Sequence, residues 1–144
     1  MKNRVVVTGM GIISPIGDNI HDFWVNLKSG KNGIDQITHF DTEKFDVKIA
    51  GESKIQLDNF FDKKELNKLD RFSTFAILAA DQAIIQSDII NNSIPKDRIG
   101  VIVGSGIGGI STFEKQHLKL LKNPRYVSPF FIPAMIPDIA SGHI

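Results

Sequence analysis

The chain alternates between short apolar runs and longer segments with helical periodicity. The apolar runs are residues 5–8 (VVVT) and 99–103 (IGVIV). Both predict strands buried on both faces, as in parallel sheets, and both end in closely spaced glycines that are typical of a tight turn. A weaker alternation of apolar and polar residues over residues 45–49 predicts a short edge strand.

Helical patterns lie between and after these runs. Residues 18–30 place apolar side chains at the i, i+3, i+4 and i+7 positions of an amphipathic helix, with Asp18 or Asn19 as N-cap and Gly30 as the stop. The other predicted helices are a short polar one over residues 62–70, one over 71–87 whose alanine stripe indicates close packing, and one that follows the second glycine group and breaks at Asn123-Pro124.

Strands that alternate with helices predict an α/β fold with a parallel or mixed sheet. The 144 residues suit one domain with one core, because a chain of this size buries roughly 70% of its unfolded surface. Near the C-terminus, Pro133 is placed to begin a helix at its N1 position and Pro137 to kink it. The chain stops directly after an apolar stretch, which we interpret as the interruption of a longer domain.

Composition narrows the possible partners and chemistry. The formal net charge of +1 favours neither nucleic acid nor a membrane as partner, and the absence of cysteine excludes a thiol nucleophile and thiolate metal sites within these residues. Lys2 and Arg4 before a valine run resemble the start of a signal peptide. Gly9, Gly11 and Pro15 interrupt the apolar run, so we predict a cytoplasmic chain.

The second glycine group raises the question of a nucleotide site. Gly104, Gly106 and Gly109 satisfy G-x-G-x-x-G between a predicted strand and a predicted helix, but the acid expected about 20 residues later is missing. Only Ser105 and Ile107 carry side chains in this loop. We therefore expect the loop to border an apolar wall, with a dinucleotide site as the weaker alternative.

Nucleophilic and metal chemistry have few candidates. Ser105 lacks the G-x-S-x-G spacing of a nucleophile elbow, and Ser141 and His143 are too close in sequence for the usual spatial convergence. Hydrogen bonding within a turn or helix is the favoured interpretation of both serines. The remaining histidines are isolated and predict no metal site; they are His21, His39 and His117.

One local group of charges is compatible with an anionic partner. Lys64 and Lys68 lie one helical turn apart in the predicted polar helix, and Lys63 adjoins them. Like charges at this spacing repel unless an anion offsets them. The spacing alone favours the alternative, a solvated helix face tempered by Glu65.

Several motifs together resemble one family, the β-ketoacyl-acyl-carrier-protein synthases. The motifs are RVVVTGMGIISPIG at residues 4–17, KKELNKLDRF at 63–72, RIGVIVGSGIGG at 98–109 and SPFFIPAMIPDIASGHI at 128–144. Their order and spacing are similar to the N-terminal third of that family over essentially the whole chain. Ile107 makes the chain most similar to the type II elongating enzyme.

The resemblance implies a fold and an activity. The fold is the thiolase-like one, with five αβαβα layers, of which residues 1–144 would be the incomplete N-terminal portion of the first half. The family works as a homodimer and condenses an acyl thioester with malonyl-acyl-carrier protein, without a metal or redox cofactor. Its catalytic cysteine, two histidines and lysine would all lie beyond Ile144, so this chain alone is expected not to condense.

The resemblance also implies roles for particular residues. Ile107 matches the residue that gates the acyl chain, and three others match residues that close the pocket across the dimer, namely Phe131, Ile132 and Met135. The basic patch that meets the acidic carrier protein matches Lys63, Lys64 and Lys68. Asn67 departs from the family, where arginine is frequent. The alternatives are a non-catalytic acyl- or carrier-binding module and the dinucleotide-binding domain.

Overall fold

The structure is a computed structural model that describes residues 4–144. The described part contains six α-helices and two strands, which we number in chain order, together with three short 3-10 helices. The numbered elements are α1 (Ile20–Lys28), β1 (Ile34–Gln36), β2 (Ile49–Gly51), α2 (Lys63–Leu66), α3 (Arg71–Ser87), α4 (Ile110–Lys122), α5 (Phe131–Met135) and α6 (Ile139–His143). Lys2 of the signal-peptide comparison lies outside the described residues.

The helices follow the local signals in the sequence. The Asn19 side chain accepts a hydrogen bond from the Asp22 amide at 2.9 Å and so caps α1, and Gly30 beyond its end has a φ of +71°. Asp70 caps α3, and Asp88, the residue directly after its end, has the left-handed conformation. The predicted helices over residues 18–30 and 71–87 and after the second glycine group are confirmed, because caps and periodicity are local properties.

The prediction of buried strands over residues 5–8 and 99–103 is wrong for this chain. Neither segment belongs to a strand, and Val5 is 92% and Ile102 98% exposed. A strand exists only through hydrogen bonds to a neighbouring strand. Residues 4–144 supply no such neighbour to either segment.

The segment after residue 8 is instead held against a helix. A Cβ atom on Gly9 would overlap the carbonyl oxygen of Ala83, and one on Gly11 would overlap that of Ala79. The Gln82 side chain accepts a hydrogen bond from the Ile12 amide at 3.2 Å. The alanine stripe of α3 therefore packs closely, as predicted, and its partner is a glycine-containing backbone.

The observed sheet is small and antiparallel. β1 pairs with β2 so that Ile34 lies opposite Gly51 and Gln36 opposite Ile49. The prediction of a parallel or mixed sheet is therefore wrong for the described residues. The predicted edge strand over residues 45–49 is shifted, since only its last residue lies in β2.

The C-terminal segment forms two short helices, of which α5 packs against α4 and α6 against α3. Pro133 is the third residue of α5, so the prediction that it begins the helix is wrong. The position remains compatible with proline because the first amides of a helix need no intrahelical acceptor. Pro137 does not kink a helix; it lies between α5 and α6.

The hydrophobic core contains fewer buried residues than we expect for a single domain of 144 residues. The buried hydrophobic residues in the described part are Leu78, Ala134 and Ala140. The accessible surface is 11225 Å², whereas a folded monomer of 16.0 kDa exposes about 7,400 Å². Much apolar surface therefore remains uncovered in this chain.

Candidate functional site

The second glycine loop packs tightly onto the segment that begins at α5. A Cβ atom on Gly108, whose φ is +77°, would overlap the Met135 carbonyl oxygen, and one on Gly109 would lie 2.6 Å from the Ala134 oxygen. The Gly109 amide donates to the Met135 oxygen at 2.8 Å. The close approach expected from the glycines thus occurs at Gly108 and Gly109. Nothing lies within 4 Å of a Cβ on Gly104 or Gly106.

Asp70 joins the glycine loop to two helices. This residue is 6% exposed, and its carboxylate accepts from the Phe72 amide at 3.3 Å and from the Thr112 amide at 2.9 Å. One side chain therefore caps both α3 and α4, whose own N-cap, Gly109, has no side chain to offer. Sequence reasoning missed this role, although an aspartate before α3 is a cap signal.

These contacts occupy several of the amide groups at the start of α4 that an anion would need. The Gly108 amide donates to the Ser105 hydroxyl at 3.0 Å, and the amides of Gly109 and Thr112 are also occupied. The Asp70 carboxylate already takes the position where a helix N-terminus favours negative charge. The geometry therefore disfavours the dinucleotide-binding alternative.

The four expected acyl-pocket residues lie on the two segments that this packing brings together. Ile107 is 68% and Ile132 55% exposed, while Phe131 and Met135 are half-buried. The Phe131 ring lies 6.2 Å from that of Phe113, so it faces α4. The structure thus links the glycine loop to α5 through backbone contacts, and it leaves Ile107 and Ile132 uncovered.

The three expected docking lysines lie in and directly after α2, which is shorter than the predicted helix. Lys63 and Lys64 lie in α2, which ends at Leu66, and Lys68 follows in the next turn. The prediction that a continuous helix runs over residues 62–70 is therefore wrong, because Lys68 lies in the turn that follows α2. Its ammonium group lies 5.2 Å from the centroid of the Phe130 ring.

A cavity of about 580 Å³ separates the end of α2 from α4, and we call it the lysine cavity. Its charged lining consists of Lys115, Lys119 and Lys122 from α4, with no acidic residue. Asn67 and Leu66 form part of the opposite wall. Sequence reasoning missed this lysine group, whose signal is the i, i+4, i+7 spacing on one helix.

A second cavity of about 940 Å³ adjoins the lysine cavity, shares Thr112 and Lys115 with its lining, and has mixed charge. Its lining includes Asp41, Asp70 and Glu114 together with Arg71 and Lys115. Because acids and bases are interspersed there, this cavity favours no ligand charge. The two cavities therefore differ in the charge of the partner that each can accept.

The serines and histidines considered for catalysis have local structural roles. Ser105 accepts from the Gly108 amide, and the Ser141 hydroxyl donates to the Asp138 carbonyl at 2.7 Å. The His117 ring stacks on Phe113. Within residues 4–144, no group of three or more histidine, aspartate or glutamate side chains could hold a metal ion. No helix of that same range is long and apolar enough to cross a membrane.

Comparison with known proteins defines the class. Residues 2–144 match the family described as "Beta-ketoacyl synthase, N-terminal domain", and the chain belongs to that family. It is 50% identical over 145 residues to the 3-oxoacyl-[acyl-carrier-protein] synthase 2 of Staphylococcus aureus strain COL, covering 99% of this chain and 35% of that protein. The chain thus spans about a third of the length of that curated relative.

Solved structures agree on the fold. The ishigamide ketosynthase/chain length factor superposes with a TM-score of 0.73 at 26% identity, over 96% of this chain and 35% of the other. A second solved structure is a type II polyketide synthase acyl-carrier protein in complex with its ketosynthase bound to the hexaketide. It superposes with a TM-score of 0.69 at 24% identity, over 99% of this chain and 39% of the other. The predicted thiolase-like α/β fold is confirmed.

Proposed function

We propose that this chain is the N-terminal portion of an acyltransferase of fatty-acid biosynthesis, a 3-oxoacyl-acyl-carrier-protein synthase of the elongating type. The whole protein joins an acyl thioester to malonyl-acyl-carrier protein, with loss of carbon dioxide and formation of a carbon–carbon bond. The observation that carries the proposal is the 50% identity to a synthase of that name over 99% of this chain.

The chain's own part in the reaction is to receive the acyl group and the carrier protein. Ile107, Phe131, Ile132 and Met135 form the proposed acyl-pocket wall, and the contact between Gly109 and Met135 supports their common placement. The nucleophile is not among these residues, since the chain contains no cysteine. We therefore expect the 144-residue chain alone to bind and not to condense.

The proposed partners are the carrier protein and a second copy of the synthase. Lys63, Lys64 and Lys68 form the proposed carrier-docking patch. A ketosynthase that superposes on this chain is in complex with its acyl-carrier protein, which supports a carrier protein as the partner. We propose the homodimer of the complete protein by analogy with the family that residues 2–144 match. The cytoplasmic location stays a prediction from the sequence.

The direct test uses the complete protein with acyl-carrier protein thioesters of several chain lengths. Malonyl-acyl-carrier protein and each acyl primer should give the 3-oxoacyl product and carbon dioxide. Carrier binding without condensation would refute the proposed activity and favour the non-catalytic binding module.

The gate is tested by Ile107→Phe, with Ile107→Leu as a control of similar volume. The larger ring should leave condensation of short primers intact and suppress medium and long primers, because it fills space that only a longer chain needs. Equal loss at every chain length would show that the substitution disturbs the loop and that Ile107 is no gate.

A further inference from the structure

The Asn32-Gly33 dipeptide lies in the connection between α1 and β1. Asparagine is followed by glycine at this position and nowhere else in the sequence. The side-chain amide of an asparagine can be attacked by the backbone nitrogen of the next residue. Glycine hinders that attack least, because it has no Cβ atom and its φ is the least restricted. The dipeptide therefore combines an amide that can be displaced with an unshielded nucleophile.

The structure leaves this dipeptide outside regular structure and open to water. Asn32 is exposed, and the pairing of β1 with β2 begins only at Ile34. Ring closure between a side chain and the following peptide requires changes in the backbone dihedrals. A helix or a paired strand resists these changes, whereas an exposed connection permits them. The reaction can therefore proceed at Asn32 without unfolding of the chain.

A hydrogen bond directs the Asn32 side chain toward the following peptide. The Ile34 amide donates to Asn32 Oδ1 at 2.9 Å, which bends the side chain back over Gly33 in an Asx turn. Negative charge develops on this oxygen when a nucleophile attacks Cγ. A donor at about 2.7–3.1 Å from such an oxygen stabilises the charged intermediate, as in an oxyanion hole. The Ile34 amide therefore assists attack by the Gly33 nitrogen.

Packing explains why glycine occupies position 33. A Cβ atom on Gly33 would lie 2.7 Å from Cγ2 of Ile16 and 2.9 Å from Cβ of Pro15. A Cβ atom on Gly51 of β2 would lie 3.1 Å from Cγ of Pro15. The two glycines thus let residues 15–16 approach the hairpin closely. A larger residue at position 33, which would hinder the attack, does not fit.

We propose that Asn32 is a site of spontaneous deamidation through Gly33, and that its isoaspartate product loosens the contact between the β1–β2 hairpin and Pro15. The Gly33 nitrogen gives up its proton and bonds to Cγ of Asn32. The bond from Cγ to Nδ2 breaks, and Nδ2 leaves with a proton as ammonia. Water then opens the resulting succinimide ring at either carbonyl. The net reaction consumes one water, releases one ammonia and leaves aspartate or isoaspartate, with no oxidation or reduction.

The two products differ in their effect on the structure. Aspartate keeps a side-chain oxygen at the position that accepts from the Ile34 amide. Isoaspartate carries the main chain through Cβ and Cγ, so the backbone before Gly33 becomes one atom longer and this acceptor is lost. Because there is no room beside Gly33 for one more carbon next to Pro15 and Ile16, the longer backbone must displace the hairpin from that segment.

The test follows the complete protein during incubation at physiological temperature and pH. Peptides are prepared at mildly acidic pH, which suppresses deamidation during digestion, and mass spectrometry locates a gain of roughly one mass unit. Deamidation should be several-fold faster at Asn32 than at Asn92, which is also exposed but precedes Ser93. Incubation in heavy-oxygen water should label the product, because opening of the ring adds one solvent oxygen. A reaction at Asn32 that is no faster than at Asn92 would overturn the proposal.

Comparison with the unfolded chain tests what the fold contributes. Because the Ile34 amide assists the attack, Asn32 should deamidate at least as fast in the folded protein as in guanidinium chloride. A slower reaction in the folded protein would show that the structure protects Asn32, and it would overturn the proposal.

Asn32→Ser is the unreactive variant, since its hydroxyl can accept from the Ile34 amide and it has no amide to lose. The unfolding temperature of the wild type should fall by a few degrees during incubation, whereas that of Asn32→Ser should stay constant. Asn92→Ser is the matched control and should change with time as the wild type does. If Asn32→Ser is less stable from the outset, Asn32→Asp replaces it, because aspartate keeps the acceptor. Deamidation without a fall in unfolding temperature would refute the displacement of the hairpin, and an equal fall in wild type and Asn32→Ser would refute the role of Asn32.

Discussion

Replacing Asp70 should open two helices at once. Asp70→Ala removes the cap of α3 and the carboxylate that binds the Thr112 amide of α4. A lost N-cap costs about 1 kcal/mol, and a lost hydrogen bond to a charged group about 2 kcal/mol, undiminished by solvent because Asp70 is 6% exposed. The combined cost of about 3 kcal/mol corresponds to roughly a hundredfold increase in the equilibrium constant for local opening of the two helix starts.

Native-state hydrogen exchange measures this opening locally. In the complete protein, amides in the first turns of α3 and α4 should exchange about a hundredfold faster after Asp70→Ala. Asp70→Asn should have an intermediate effect, because the amide keeps only one accepting oxygen.

The matched control for this prediction is Asp62→Ala. Asp62 caps α2 alone, accepting from the amides of Lys64 and Glu65 at 2.7 and 2.8 Å. Its loss should speed exchange in α2 and leave α4 unchanged. If Asp70→Ala affects α4 no more than Asp62→Ala does, the double cap does not stabilise that helix.

Two further predictions concern the loop and the pH dependence of stability. Gly108→Ala should lower the unfolding temperature by several degrees, because the new methyl group would meet the Met135 oxygen and because the positive φ at this position favours glycine. Gly106→Ala is the control and should leave the unfolding temperature unchanged. Equal effects of the two substitutions would contradict the packing of Gly108 against Met135. The Thr38 hydroxyl donates to Glu52 and, with the Thr38 amide, holds the pKa of that carboxyl below its ordinary 4.5, against the opposing effect of burial. The resulting stabilisation of the folded state is present above pH 4.5 and is lost as the pH falls through the lowered pKa of Glu52. The unfolding temperatures of the wild type and of Glu52→Gln should therefore converge in acid. A difference that stays constant with pH would contradict this role of Glu52.

The sequence by itself determined the helices and the family. The cap at Asn19, the capping box at Asp62 and the periodicity of α1, α3 and α4 act over a few residues, so a linear pattern contains them. The motifs around the two glycine groups identified the β-ketoacyl synthase family before any geometry was considered. The helix ends and the position of Pro133 were less well predicted, because packing decides where a short helix stops.

Only the tertiary structure decided what the strand-like runs and the lysines do. Residues 5–8 and 99–103 have the composition of buried strands, yet strand formation depends on a hydrogen-bonding neighbour that local pattern does not specify. The pairing of Gly9 and Gly11 with the backbone of α3 joins segments about 70 residues apart.

The same reason governs the candidate site. Asp70 caps α4 across 42 residues of chain, and the lysines of α4 share a cavity with the end of α2 only after the chain folds. The sequence shows these residues as separate caps and charges. Their joint action depends on distances through space, which no local spacing along the chain determines.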